Sequence, residues 1–402
     1  MNIFYVSTVC STRKFSQIYC ESKLKPQQQA QKFHHLFIKG LASLKNSVYA
    51  MTVLPINRKS MNKMWIQREH EHQEEVDYDY LPILNFPILR HVLIFLIGFM
   101  TVLFWSHKKR NEPKVLICDV LNATTSISAL LASKLFSVQS IAIITDLPGL
   151  MHNDDEKKKS GIKRWITYFY IKISYFFLHR YDGYVLLTEQ MNERVNPKNK
   201  PFIIIEGMVD AGMKDVPNKV EDKYEEKIII YAGALFEKYG VKKLIESFMK
   251  TNIREARLWI YGSGELEEEM EHYEKKDQRI RYFGVVPNEE VVKEEMKATL
   301  LVNPRPTEEE FTKYSFPSKN MEYMVSGTPV LTTKLPGMKS EYFDYLYLFE
   351  NEDEVGIAQT LEEVLLQDQS NLFQIGENAK KFVLREKSNI EMAKKFMASL
   401  LG

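Results

Sequence analysis

The 402-residue chain has few cysteines and almost no net charge, and each feature argues against a class of protein. Its three cysteines, Cys10, Cys20 and Cys118, have scattered spacings that form neither a disulfide framework nor a zinc motif, which favours a reducing cytosol. A formal net charge of +1 provides no overall attraction for nucleic acid. The first ten residues lack the charged and apolar regions of a signal peptide, and we expect them to form a strand.

The chain is longer than a single ordinary hydrophobic core, so two domains are expected. Strand-like and helix-like segments alternate along both halves, which predicts parallel sheets covered by helices on both faces. The predicted organisation is an N-terminal domain at residues 1–207, a linker rich in charge, glycine and proline at 208–227, and a C-terminal domain at 228–385. The last helix, within residues 386–402, could pack back on the first domain.

An apolar run in the N-terminal half, Val92–Trp105, has two structural interpretations. It is shorter than the roughly 18 residues needed to span a bilayer. It is therefore either a buried helix or a helix partly sunk in a membrane surface.

A second apolar segment also leaves two readings open. Its helical spacing predicts a core face formed by Ile162, Ile166, Phe169, Ile173 and Phe176. A basic and aromatic opposite face, which follows a lysine run, consists of Arg164, Tyr168, Ile171 and Tyr175. That face suits either an anionic membrane surface or the margin of a thick core.

The stretch FPSKNMEYMVSGTPV predicts a short helix that begins near Ser318 and ends before Gly327. Ser318 is a favoured N-cap residue, and Gly327 suits a left-handed C-cap. Unpaired amides and the positive dipole end would make the start of this helix a phosphate site, with the charge of Lys319 beside it. Glu322, one turn later, could accept two ribose hydroxyls. The alternative is a plain capped helix with a solvated glutamate.

Glycines and an arginine follow other strand-like runs of the same half. Gly233, Gly262 and Gly264 stand between strand and helix, where glycine allows close approach of backbone to a ligand. Arg305, between two prolines, provides a guanidinium fork for phosphate. Because ligands of α/β proteins bind at the carboxyl ends of strands, these residues predict one site.

The ordered motifs between Ile228 and Thr333 resemble the C-terminal domain of the family 4 (group 1) glycosyltransferases. They are YAG, LWIYGSGE, RIRYFGVVPNEEV, LLVNPRP and FPSKNMEYMVSGTPV. The resemblance implies the GT-B fold, an α/β fold with two Rossmann-like domains whose parallel sheets face a cleft. It also implies retaining, metal-independent, hexosyltransferase-type transfer from a UDP- or GDP-sugar to an acceptor bound by the N-terminal domain, with no cofactor.

The Pro-Ser-Lys form of the last motif is similar to members that build bacterial exopolysaccharide, capsule and O-antigen. It implies a glycan or lipid-linked acceptor, and the apolar segments favour the lipid-linked one. We therefore expect a cytoplasmic protein, peripheral at the inner face of the plasma membrane, that does not bind nucleic acid.

Residue roles carried over from the resemblance centre on the short helix. Glu322 would bind the donor ribose, and Ser318 and Lys319 the diphosphate. The full set expected to bind the donor is Gly233, Lys238, Gly262, Gly264, Tyr314, Ser318, Lys319, Asn320 and Glu322. The candidate catalytic residues are Lys319, Arg305 and Asp146, the last in the N-terminal half where many relatives have a histidine.

Three positions depart from the family pattern. Tyr314 stands where a second glutamate is usual, Ala234 replaces an arginine, and Tyr239 replaces a lysine for which Lys238 substitutes only if the loop shifts. These departures keep open a catalytically inactive GT-B scaffold subunit for a partner transferase. A sugar-nucleotide epimerase or a phosphorylase of the same fold is a further alternative.

Other polar residues of the N-terminal half have structural interpretations. Asp119 and Asp146 follow strands, where an aspartate often serves as an N-cap, and His34 and His35 are interpreted as surface or packing residues. The stretch REHEHQEE is interpreted as an acidic, flexible loop and not as a metal site.

Overall fold

The computed structural model describes residues 1–26, 28–149 and 161–402, which form two compact units. The first unit comprises Met1–Met208 and Asn389–Gly402, and the second comprises Val209–Ser388. The stretch expected to be a linker, residues 208–227, lies almost wholly in the second unit, where it forms two short 3-10 helices.

The first unit alternates strands and helices. In chain order it contains β1 (Asn2–Ser7), α1 (Thr12–Glu21), α2 (Gln28–Ser43), β2 (Ser47–Thr52), β3 (Trp65–Ile66), β4 (Glu69–Gln73), β5 (Val76–Tyr80), β6 (Ile83–Leu84), α3 (Pro87–Lys108), β7 (Lys114–Asp119), α4 (Ala123–Lys134), β8 (Gln139–Ile144), α5 (Gly161–Leu178), β9 (Gly183–Leu186), α6 (Glu189–Val195) and β10 (Phe202–Ile204).

Its main sheet has the strand order β10-β9-β8-β7-β1-β2-β5-β4. All neighbouring strands pair in parallel except β4, which is antiparallel to β5. Every residue of β1 is buried, as expected for a central parallel strand covered on both faces. The chain runs outward from β1 in one direction through β2 and β5, then crosses to β7 on the other side.

The two faces of this sheet carry different helices. Tyr5 packs against Phe37 of α2, whereas the adjacent Phe4 packs against Trp105 of α3 with ring centroids 5.0 Å apart. Because successive residues of a strand point to opposite faces, α2 and α3 cover opposite sides of the sheet.

Three expectations for the first unit differ from the structure. The predicted core stripe of α5 is wrong, because Ile166, Phe169 and Phe176 are exposed. The stretch expected to be a flexible loop contains β4, an edge strand whose Glu69 pairs with Lys14 of α1. Helix α3 extends beyond the apolar run Val92–Trp105 at both ends. Among the described residues, it is the one helix that is long and apolar enough to cross a membrane. The lysine run at 157–159 lies outside the described residues.

The second unit repeats the alternation of strand and helix. In chain order it contains β11 (Lys227–Ala232), α7 (Val241–Met249), β12 (Ala256–Tyr261), α8 (Met270–Lys276), β13 (Ile280–Gly284), α9 (Asn288–Lys297), β14 (Leu300–Asn303), α10 (Ser318–Ser326), β15 (Val330–Thr332), β16 (Tyr347–Leu348), α11 (Glu354–Leu365) and α12 (Gln369–Glu386). The chain then returns to the first unit as α13 (Asn389–Leu400), where Phe396 packs against Phe37 of α2.

The second sheet has the strand order β13-β12-β11-β14-β15-β16 and is parallel throughout. Alternate residues of β11 enter different hydrophobic clusters: Ile229 belongs to one, and Ile228 and Ile230 to the other. Both faces of this sheet are therefore covered. The chain leaves β11 towards β12 and β13 and then crosses to β14 on the opposite side, so the direction of winding switches between β11 and β14.

Candidate functional site

The carboxyl ends of β11 and β14 lie side by side at this switch, where open α/β sheets bind ligands. The loop after β11 carries Gly233 and Gly240, and the chain after β14 carries Arg305. The start of α10 follows in the same connection. The structure thus brings the segments that carry the predicted donor-site residues together at one edge of the second unit's sheet.

The glycines pack loop against loop. A Cβ on Gly262, whose φ is +126°, would lie 1.8 Å from the carbonyl oxygen of Gly233. A Cβ on Gly264 would lie 2.4 Å from the carbonyl oxygen of Leu235, and one on Gly240 would lie 2.0 Å from that of Pro304. Gly262 and Gly264, expected to bind the donor directly, therefore allow close approach of backbone to backbone, which shapes the Gly233 loop.

Gly262→Ala is expected to lower the free energy of unfolding by about 2 to 3 kcal/mol, because it adds a clash to an unfavourable φ. Gly284→Ala is the matched control: its φ is +68°, but a Cβ there meets nothing nearer than 3.9 Å. It should cost only about 1 kcal/mol. Urea unfolding of both variants measures the difference, and equal losses would contradict the packing role.

Helix α10 is fixed to the strand ends by two side chains. The hydroxyl of Tyr323 accepts a hydrogen bond from the Ala232 amide at the end of β11, at 2.8 Å. The side-chain oxygen of Asn320, Oδ1, accepts a hydrogen bond from the side-chain amide of Asn303 in β14 at 2.7 Å. Asn320 was expected to bind the donor, but its side chain is fully buried in this network. Asn320 and Tyr323 instead hold the start of the helix over the switch point.

The start of α10 differs from the sequence prediction in one detail. Pro317 occupies the N-cap position, Ser318 is the first helical residue, and no side chain of the described residues caps the helix. Since Ser318 does not cap the helix, the first turn keeps backbone amides that can donate hydrogen bonds to an anion. The predicted left-handed C-cap at Gly327 is confirmed, with φ at +83°.

Arg305 projects from the end of β14 towards the loop after β11. Its guanidinium carbon lies 4.9 Å from the ring centroid of Tyr239 and 5.5 Å from that of Phe311. One terminal nitrogen reaches Ser315 Oγ at 3.5 Å, whereas buried Nε has no hydrogen-bond partner within the described residues. Burial lowers the pKa of Arg305, but an arginine keeps its charge at neutral pH. The aromatic rings thus hold a cation with unused donors.

Lys319 and Glu322 form an ion pair, with 3.0 Å between Nζ and Oε2. A second carboxylate, that of buried Glu295 on α9, also acts on Lys319. Burial alone would lower the pKa of Lys319, yet the two carboxylates outweigh it and the net shift is upward. Lys319 is therefore charged but already neutralised, and Arg305 is the less compensated cation.

The remaining candidates lie around these groups or in the other unit. Lys238 lies 5.8 Å from the Tyr239 ring centroid, in the loop after β11, and Tyr314 follows a 3-10 helix that ends at Lys313. Asp146 follows β8 in the first unit. The described residues contain no group of three or more His, Cys, Asp or Glu side chains suited to a metal ion.

A buried polar cluster marks the end of β7 in the first unit. His34 Nδ1 lies 2.6 Å from the Tyr5 hydroxyl, and its Nε2 lies 3.4 Å from Asp119 Oδ2. All three side chains are buried. Asp119 also accepts a hydrogen bond from the Leu121 amide, just before α4 begins. The cluster orders the strand end, and the sequence did not reveal it because its members are far apart along the chain.

Residues 213–382 match the model of the family described as glycosyl transferases group 1. This segment includes Arg305, α10 and all the glycines discussed above. No curated protein matches the sequence.

Solved structures similar to the whole chain include two sugar-phosphate synthases and a protein in complex with UDP-glucose. Sucrose-phosphate synthase from Thermosynechococcus elongatus is 14% identical with a TM-score of 0.66, and the match covers 99% of each chain. Anabaena HepE in complex with UDP-glucose is 10% identical, with a TM-score of 0.63 and coverage of 100% and 99%. The UDP-forming trehalose-phosphate synthase from Burkholderia xenovorans, in complex with glucose-6-phosphate, is 11% identical, with a TM-score of 0.64 and full coverage of both chains. At such identities the likeness shows the fold, which is GT-B.

Proposed function

We propose that the protein is a retaining, metal-independent glycosyltransferase that moves a sugar from a nucleoside-diphosphate sugar to a glycan or lipid-linked acceptor in cell-surface polysaccharide synthesis. The observation that carries the proposal is the position of Arg305. Its unused guanidinium donors lie at the switch point between β11 and β14, in the segment that matches the family model. The open first turn of α10 is anchored to the same two strands by Tyr323 and Asn320.

In the proposed site, cationic and amide groups bind one part of the donor and a carboxylate binds another. Arg305, Lys319 and the first amides of α10 face the diphosphate, and Glu322 accepts ribose hydroxyls. Because Lys319 and Glu322 are 3.0 Å apart in the described structure, donor binding replaces their direct pairing with contacts to adjacent parts of one ligand. Donor atoms thereby compensate both charges.

In the proposed reaction the bond between the anomeric carbon and the diphosphate oxygen breaks. The acceptor hydroxyl forms the new bond on the same face of the sugar, and its proton passes to the departing diphosphate oxygen on that face. The departing nucleoside diphosphate carries the bonding electron pair, so negative charge grows at the oxygen that leaves. Fixed donors aimed at that oxygen, Arg305 foremost, stabilise the transition state more than the ground state.

The comparisons support the donor class only by analogy. HepE and the trehalose-phosphate synthase are described with UDP-glucose and as UDP-forming, respectively. A UDP-sugar is therefore the first donor to test here, with a GDP-sugar second. The proposal places the reaction in the cytoplasm and gives it no cofactor.

The test begins with calorimetric titration of UDP- and GDP-sugars into the full chain. Glu322→Ala is expected to weaken binding of the preferred donor by about 1.5 to 3 kcal/mol, the loss of a charge-assisted hydrogen bond. Glu289→Ala, at an exposed position of α9, is the control and should leave binding unchanged. Inorganic pyrophosphate lacks ribose, so it should bind Glu322→Ala at least as tightly as it binds the wild type.

Transfer is then measured with labelled donor and a membrane extract as the source of acceptor, and the anomeric configuration of the product is read by NMR. Product of inverted configuration would refute the retaining mechanism. Donor binding without transfer to any acceptor would favour the scaffold alternative, and interconversion of the donor sugar would favour an epimerase. If no nucleotide sugar binds, the proposal fails at its first step.

A further inference from the structure

Helix α3 has apolar residues on both its inner and its outer side. Ile94 and Val102 are buried, and a Cβ on Gly98 between them would lie 2.9 Å from Ser128 Oγ of α4. At 100° per residue the opposite side carries residues that are 43% to 63% exposed, namely Leu89, Val92, Leu96, Met100 and Phe104. Ile88, which is 79% exposed, flanks them at the start of the helix. Together with Ile88, this outer stripe extends about 24 Å along the helix.

Helix α5 presents a second exposed apolar surface. Its first half carries large side chains that are at least half exposed, namely Trp165, Ile166, Tyr168, Phe169 and Tyr170. Phe176, near its end, is also exposed. Soluble monomers rarely expose large contiguous apolar patches.

The two helices lie on the same side of the sheet, with α4 between them. Helix α4 packs against α3 at Ser128 and Gly98. On its other side, α4 and α5 line one small pocket, which includes Ile127 and Phe177, and the Tyr181 hydroxyl donates to the Ser126 carbonyl at 3.1 Å. The exposed residues Leu131 and Leu135, at the end of α4, lie in the same row of helices.

Charge on these helices is of one sign. Helices α3, α4 and α5 have 22, 12 and 18 residues and contain no Asp or Glu, although the chain has 53 acidic residues. Their basic residues include Lys108, Lys134, Arg164 and Lys172, all exposed. A soluble helix surface normally mixes both signs. Asp182, which follows α5, pairs with Lys134 at 2.8 Å, but no acidic residue lies on the three helices themselves. An apolar surface on helices whose own charges are all cationic complements an anionic lipid surface.

We propose that the face formed by α3, α4 and α5 docks on an anionic membrane, with the outer stripe of α3 and the aromatic residues of α5 entering the headgroup region. The inner side of α3 stays packed on α4, so the helix lies in the interface and does not cross the bilayer. This inference stands apart from the proposed transfer reaction, since it rests on the first unit alone. It gives that reaction, if confirmed, access to a lipid-linked acceptor.

The experiment is flotation of the full chain with vesicles of phosphatidylglycerol and phosphatidylcholine, compared with phosphatidylcholine alone, at low and high salt. Wild type should float with the anionic vesicles, and salt should reduce the bound fraction. Leu96→Glu and Phe104→Glu should each reduce partitioning about tenfold to hundredfold. Arg164→Gln and Lys172→Gln should each reduce it about fivefold, on anionic vesicles only.

Matched controls come from the second unit. Leu366→Glu replaces an exposed leucine that is 69% accessible, against 56% for Leu96, and Lys381→Gln replaces an exposed lysine of α12. Both variants should float like wild type. Trp165 serves as a native reporter, because it is 65% exposed on α5. Brominated lipids should quench part of the tryptophan emission, and Trp165→Phe should remove much of that quenching.

Three results would overturn the proposal. The first is wild type that stays unbound at low salt. The second is flotation equal for Leu96→Glu and Leu366→Glu. The third is a dimer in lipid-free solution that Leu96→Glu dissociates, since the stripe would then be an interface between two copies. Because none of these measurements involves a nucleotide sugar, failure here is distinguishable from failure of the proposed transfer reaction.

Discussion

Arg305→Met is expected to lower the turnover of sugar transfer by about a hundredfold to a thousandfold, with a much smaller loss of donor affinity. The reason is geometric: the Tyr239 and Phe311 rings hold this guanidinium, and its Nε is buried without a partner among the described residues. Loss of one preorganised donor to a developing negative charge costs about 2.7 to 4 kcal/mol at the barrier. Single-turnover kinetics with saturating donor measure the effect.

Two further variants separate this role from general stability. Arg305→Lys keeps the charge but loses the planar fork, so turnover should recover only in part. Tyr239→Lys restores the cation that the family resemblance places in this loop, so the double variant Arg305→Met/Tyr239→Lys should regain part of the lost turnover. Full activity of Arg305→Met would remove Arg305 from the mechanism and leave Lys319 to carry the leaving-group charge.

The second unit could be predicted well because its signals are local. Strand, glycine and helix follow one another within short segments, so β11 and α10 were placed from the sequence. The C-cap at Gly327 follows from one residue type at one position. The sequence could not show what the glycines pack against, because the partner of Gly262 is Gly233, a residue in another loop.

Charge pairing at the site was also beyond the sequence. Spacing placed Lys319 and Glu322 on one side of a helix, which is compatible with separate contacts to a ligand or with a direct pair. The structure shows the pair and adds Glu295 from α9, which no motif singled out. Likewise, the sequence shows Tyr239 only as a replacement for the family's lysine. In the structure its ring contacts the guanidinium of Arg305.

In the first unit the sequence could not settle which apolar surfaces face the core. Periodicity shows that one side of a helix is apolar but not whether another element covers it. Ile166, Phe169 and Phe176 of α5, which were predicted to face the core, are exposed, and α3 is apolar on both its inner and its outer side. The absence of Asp and Glu from α3, α4 and α5 is readable in the sequence only once these helices are known to be neighbours.

Lys319→Met is expected to lower turnover by about a hundredfold, which corresponds to about 2.7 kcal/mol at the barrier. It should also destabilise the second unit, because the carboxylates of Glu322 and Glu295 lose their counter-charge. The side chains of Lys319 and Glu322 are 20% and 10% exposed, so water screens part of this cost, and we expect a loss of about 1 to 3 kcal/mol. Urea unfolding measures it directly.

The stabilisation that Lys319 contributes depends on pH with a defined sign. Since the pKa of Lys319 is raised in the folded state, its stabilisation is complete below the unfolded value of about 10.4 and is lost as pH rises through the folded value. The stability gap between wild type and Lys319→Met should therefore stay constant from neutral pH to about pH 9 and narrow above about pH 10.

A double variant separates the two roles of Lys319. Lys319→Met/Glu322→Gln removes one of the unpaired carboxylates, so it should regain most of the lost stability. Turnover should stay low, because the cation at the diphosphate is still absent. If turnover recovers together with stability, Lys319 acts by neutralising Glu322. Arg305 and the amides of α10 would then be the groups that stabilise the charge on the leaving group.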